Sequence, residues 1–204
     1  MLTQNWEEAV ENEHLQHRIN SCEIVLLALG SQAPMSKKPV SRVAAAEEYF
    51  RQIPVSLLNA FNTNNRINQY LIDNLPPAAW QAKPREGNGR TIAAIVAHMH
   101  NVRVMWLKAT KAEEIPAQLD RATVSPGKAV RALEQSRRAL SLVLSKALAG
   151  DGRVKGFRPD VAGFLGYLIA HDAHHRGQIT MLARQLGHPL PQKAMFAMWE
   201  WNSR

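Results

Sequence analysis

From Ala44 onward, apolar residues recur at steps of three and four along most of the chain, and this periodicity constrains the fold more than any other feature. Leu57, Leu58, Phe61, Asn65, Asn68, Leu71, Ile72 and Leu75 trace one helical face, with two asparagines in register with the leucines. Pro54 suits a first helical turn, and Pro76–Pro77 stops the segment. Thr91 is placed to cap a second helix running to Thr110. Ser125–Pro126 announces a third, whose stripe Val130, Leu133, Leu140, Leu144 and Leu148 ends at Gly150 and Gly152. A fourth runs from near Pro159 to Leu186, with Gly187 at its C-terminal cap and Pro189 beyond. No Val/Ile/Thr-rich alternating segment offers a strand. Four long helices with apolar faces bury them most simply as a four-helix bundle, so the expected fold class is all-α. The connections after the first and second helices are long enough to cross the bundle or to cover a site.

The beginning of the chain reads differently. Residues 1–34 hold five acids and one base, while the whole chain carries +8, so the remainder carries +12. Residues 1–45 are therefore expected to form a poorly ordered, flexible N-terminal arm, and residues 46–204 the bundle with an aromatic C-terminal tail, "MFAMWEW". The basic residues are scattered as singles and pairs without interleaved aromatics. This predicts a solvated basic surface and no specific nucleic-acid binding; an anionic small substrate fits the charge at least as well. The composition, 46% hydrophobic and 21% charged, is that of a soluble globular protein. The longest early apolar run, Ile24–Leu29, falls short of the roughly 20 residues of a membrane helix. It also follows acidic residues, where a secretory signal carries positive charge. No membrane association and a cytoplasmic location are expected. The single cysteine, Cys22, excludes an internal disulfide and any Cys-rich zinc motif.

"IAHDAHHRGQ" concentrates three of the eight histidines in five positions. On a helix, His171 and His175 share a face and can grip one ion, whereas His174 is turned aside. A third ligand must come from elsewhere. The second helix offers His98 and His100, which face nearly opposite ways, so only one of them can join. Arg103 gives the His100 face the character of a boundary, a slight lean towards His98 that leaves both open. An ordinary core histidine, hydrogen-bonded and metal-free, is the competing account of either.

These segments also carry a resemblance. "AHDAHHRGQITMLARQLGHPLP" resembles the last-helix signature of the DinB-like (YfiT-like) metalloenzyme superfamily: His, three residues, His-Arg-Gly-Gln, then an apolar helix ending in Gly. "IVAHMHNVRVMWL" resembles its second-helix pattern, a His followed eight residues later by Trp, and the His eight before Trp106 is His98. "NNRINQYLIDNLPPAAW" resembles the first helix and its exit, and "MWEW" the tail of one subgroup, so the likeness covers about residues 48–204. It implies a four-helix bundle with a crossover connection, pairing as a homodimer, and one divalent metal held by His98, His171 and His175. It further implies metal-dependent thiol S-transfer to small electrophiles with a low-molecular-weight thiol as co-substrate. A metal-dependent hydrolase and a non-catalytic metal-binding stress-response protein are the alternatives.

The chemistry of such a site follows from its donors. Three neutral imidazoles leave an ion with an open position, the arrangement of a catalytic centre. Zn, Ni and Fe all accept imidazole. Such an ion lowers the pKa of a bound water towards ~7 and deprotonates a thiol outright. No Glu or Asp stands in an HExxH-like position, which argues against a peptidase. Each ligand needs an acceptor for its other ring nitrogen; Gln178 and Asn101 are the candidates by spacing. Arg176 is expected in a salt bridge or against a substrate carboxylate, and Gly177 is expected to allow close helix packing.

Overall fold

A computed structural model describes residues 42–84 and 89–203. The helices are α1 (Arg42–Asp73), α2 (Ile92–Thr110), α3 (Pro126–Ala149), α4 (Val161–Gln185) and a short α5 (Gln192–Ala197). Among the described residues there is no strand, only an isolated bridge between Arg153 and Asp160. The fold is the expected all-α bundle. Among the described residues, no helix is long and apolar enough to cross a membrane.

The expected N-terminal arm lies outside the described residues up to position 41, and Cys22 with it; residues 42–45 already belong to α1. One expectation is corrected here. Pro54 does not open the first helix but sits inside it. Proline withholds one N–H from the helical ladder, yet Ala44, Ala45, Ala46, Glu47 and Glu48 are strong helix formers and carry the helix back to Arg42.

The chain divides into two units between Ile53 and Pro54. In the first, Glu48 pairs with Arg51 at 3.0 Å and accepts from Gln52 at 3.1 Å, both exposed contacts about one helical turn apart. The second holds the remainder of α1 and the other helices.

The helix ends are set locally. Thr91 Oγ1 accepts from the Ala94 N–H at 3.1 Å, Ser125 from that of Lys128 at 3.4 Å, and Asp160 from that of Gly163 at 2.8 Å. Gly187, at φ +80°, reverses the chain after α4, so its N–H reaches the Arg184 carbonyl and that of His188 reaches Ala183.

Buried side chains of the second unit sort into three levels. One apolar cluster takes Leu71 and Ile72 from α1, Ile92 and Val96 from α2, Leu133 from α3 and Ile179 from α4. The other takes Phe61, Leu107, Leu140 and Phe164 from the same four helices. Between them, along every helix, come buried polar residues: Asn64, Asn65 and Asn68, then His100 and Arg103, Ser136, and Asp172 with His175.

The order of these levels gives the helix directions. Along α1 and α4 the Phe61–Phe164 cluster comes first, and along α2 and α3 it comes last. So α2 and α3 run parallel, and residues 111–125 must cross back along the bundle. Extended, that segment spans about 50 Å, against about 28 Å for α2. It is pinned as it passes. Asn101 donates to the Leu119 carbonyl at 2.9 Å and accepts from its N–H at 2.8 Å. The Trp80 indole donates to the Val124 carbonyl at 2.8 Å.

The aromatic tail is partly anchored. Ala194 and Ala197 of α5 are buried, and Met195 and Met198 pack on the first cluster, while Trp199 stays 81% exposed.

Candidate metal centre

The structure sends His98 and His100 of α2 to different fates. His100 is fully buried: its Nε2 lies 2.9 Å from the Ala117 carbonyl and its Nδ1 3.2 Å from the Ser136 hydroxyl. A carbonyl only accepts, so Nε2 carries the hydrogen. Burial pushes this imidazole down from its ordinary range, so it is a neutral core residue clamping the crossover.

His98, half-buried, faces α4 instead. One ring nitrogen from each of His98, His171 and His175 lies within 4.8 Å of the others, close enough for the three to hold one metal ion. Ring centroids stand 4.5 Å apart for His171–His175, 4.8 Å for His98–His175 and 5.4 Å for His98–His171. His171 Nε2 and His175 Nε2 are 3.2 Å apart. Two imidazole nitrogens on one tetrahedral ion stand about 3.3 Å apart, from metal–nitrogen bonds of about 2.0–2.1 Å. The helical turn from 171 to 175 thus brings both to ligand spacing before any ion arrives.

The outer ring nitrogen of His175 fixes its tautomer. His175 Nδ1 lies 2.7 Å from Gln178 Oε1, an acceptor, so Nδ1 carries the hydrogen and Nε2 keeps its lone pair. Gln178 is the partner its spacing suggests. His171 Nδ1 faces Asp172 Oδ1 at 3.9 Å, an electrostatic rather than a hydrogen-bonded contact, again leaving Nε2 towards the cluster. Burial, then the neighbouring His175 and His171 rings, then Arg90 and Arg121, push the His98 imidazole down to about 4. Burial likewise lowers His175, against the opposing hydrogen bond to Gln178. Neutral imidazoles are the ligand form, so the fold holds these two ready for a cation.

His174 is exposed and turned aside, its ring 5.0 Å from that of His175. Asn101, the spacing candidate for His98, is instead committed to Leu119. Gly177 does not serve close packing: a Cβ placed on it would meet nothing within 4 Å.

Beneath the three histidines lies a polar network that sequence reasoning missed. Arg103 does not mark a boundary; it is 1% exposed. Its Nη2 donates to Asp172 Oδ2 at 2.7 Å, and its Nη1 to Asn65 Oδ1 at 2.7 Å and the Leu133 carbonyl at 3.1 Å. Asn64 and Asn68 donate to the same Asp172 oxygen at 2.7 and 2.8 Å. Their own carbonyl oxygens accept from Arg176 at 2.7 and 2.6 Å, so Arg176 is spent on α1 rather than in a salt bridge. Burial alone would raise the Asp172 carboxyl, but the Arg103 guanidinium and these donors hold it well below the usual carboxylate range. The signal in the sequence was there: Asn65 and Asn68 stand in core register, and buried polar groups demand partners.

Against known families, residues 46–202 match the model of the DinB family. No curated protein matches the chain.

Proposed function

The chain belongs to the DinB family, and from that premise we propose that it holds one divalent ion on His98, His171 and His175 and transfers a low-molecular-weight thiol to a small electrophile. The observation that carries this reading is the convergence of three imidazole nitrogens within 4.8 Å, with Asp172, the carboxylate beside them, already tied to three donors. A divalent ion so held lowers the pKa of a thiol beside it, which makes a nucleophile available at neutral pH without a protein base.

The chain's own residues supply the rest. Gln178 holds the His175 hydrogen on Nδ1, and Asp172 sets a fixed negative charge behind His171. Hydrolysis could also run on a metal-lowered water, but among the described residues a carboxylate base that would assist it is lacking. Asp172 is unsuited to that: it is buried, bonded, and held well below the carboxylate range. Zn, Ni and Fe all suit the donor set. The reading includes a small-molecule substrate, pairing into a homodimer, a cytoplasmic location and no nucleic-acid partner.

Metal analysis of protein purified without a histidine tag, followed by thiol depletion with 1-chloro-2,4-dinitrobenzene and a panel of cellular thiols, tests it. The expected result is about one ion per chain and thiol consumption that stops when a chelator removes the ion. Bound metal without thiol consumption would sink the transferase and leave a metal-dependent hydrolase or a non-catalytic metal-binding protein. Absence of metal would sink both.

A further inference from the structure

Beside His175 the surface opens into a cavity of about 890 Å³, within the roughly 300–1,000 Å³ range of small-molecule sites. It lies between the start of α2 and the outer face of α4. Ile95, Met181 and Leu182 make an apolar wall, Arg90 stands at one edge, and Gln178 and His175 connect it to the histidine cluster. Among the described residues, its walls contain no aspartate or glutamate. Among the described residues, Arg90 has no carboxylate partner.

Gly177 adds an independent observation. It sits inside α4, where glycine costs about 1 kcal/mol relative to alanine, and no neighbour requires it. Its absent side chain leaves space on the floor of this cavity.

We propose that this groove is the binding site for a small organic anion, with its carboxylate on Arg90, its apolar body on Ile95, Met181 and Leu182, and its other end at the three histidines. A cation held by neutral imidazoles and the Arg90 guanidinium both favour a negative ligand, no described wall residue repels one, and the apolar stretch between them needs a hydrocarbon to cover it. This deepens the reading of the same site given above and rests on it only for the role of the far end.

Two titrations test the groove. In the first, metal-free protein is titrated with 3-phenylpropionate and with 3-phenylpropanol, of the same shape but neutral, following the side-chain N–H signals of Arg90 and Gln178 by NMR. The acid should bind about fivefold more tightly than the alcohol, the scale of one partly exposed ion pair. Arg90→Ala should bring the acid down to the level of the alcohol. Arg131→Ala, which removes the same charge from an exposed position on α3, should not. Gly177→Leu should fill the floor and abolish binding of both without lowering the melting temperature. Equal affinities for acid and alcohol, or an Arg90→Ala protein that keeps the preference, would overturn the proposal.

In the second titration, protein loaded with Co(II) receives 3-mercaptopropionate or 2-mercaptoethanol, read by the visible cobalt spectrum. The carboxylate thiol should act at about fivefold lower concentration in wild type but not in Arg90→Ala. If both thiols act equally in wild type, the groove does not lead to the histidines as proposed. A protein that takes up no cobalt defeats the metal reading, while the first titration still decides the groove.

Discussion

Leu140 and Asp172 are both buried in the same bundle, at 0% and 1% exposure, but they are held by different means. Leu140 sits in an apolar cluster with Phe61, Leu144 and Phe164, where any side chain of similar shape and volume would do. Asp172 sits in the polar middle, where Arg103, Asn64 and Asn68 all converge on one of its oxygens. There the match must be made atom by atom, because an unpaired buried charge costs several kcal/mol. The comparison teaches where function can be built. The apolar ends hold the helices, and the rigid polar middle between them carries the histidines.

The sharpest division between the two regions is expected in metal content. Replacing His98, His171 or His175 singly by alanine should remove nearly all bound metal, measured by elemental analysis after gel filtration. The bundle should remain folded by circular dichroism, since its apolar ends do not depend on the ion. If His98→Ala retained its full metal content, the cluster would not be the site.

Asp172→Asn comes next. It keeps the shape but leaves the Arg103 charge uncompensated, so a loss of about 3–5 kcal/mol is expected in urea unfolding. Metal affinity should fall with it. A loss below about 1 kcal/mol would mean that the middle tolerates mismatch as the ends do.

Leu140→Ala should cost about 2–5 kcal/mol through lost burial and the cavity left behind. Metal stoichiometry of the folded fraction should not change. A coupled loss of metal would erase the distinction between the regions.

Acid should act on the middle through its histidines. His98 has an ordinary pKa of 6.5 but is held at about 4 in the fold. Between these values the unfolded chain binds more protons, so the stability of metal-free protein should fall as pH drops from about 6.5 to about 4, then fall no further on this account. His175, also lowered, acts in the same direction. Urea midpoints across this window should slope less in His98→Ala than in wild type; identical slopes would contradict the assignment. The smallest effect is expected for His174→Ala, which should leave both metal content and stability unchanged, because the ring is exposed.

Much of this was legible along the chain. The three- and four-residue periodicity, Thr91 and Ser125 as caps, and Gly187 at the turn after α4 are local signals, and local backbone chemistry enforces them. The spacing of His171 and His175 is likewise a property of one helix turn. Other features were not legible. Pro54 reads as a helix start but is carried inside α1 by the alanines before it. Arg103 reads as the mark of a boundary face because a charge normally reaches solvent; only packing brings it to Asp172, Asn65 and Leu133, from three other helices.

Sequence alone therefore determined the helices, their ends apart from the start of α1, the apolar faces and the pair His171–His175, since each depends on neighbours within a turn or two. The residues by themselves left His98 and His100 open, and only a family likeness chose between them. Tertiary structure decided that His100 clamps the crossover, that Asp172 closes a buried ion pair, and that His98 meets α4. Those outcomes depend on how the helices are placed and rotated against one another, and a period of 3.6 along one helix carries no information about which polar groups of another helix it will meet.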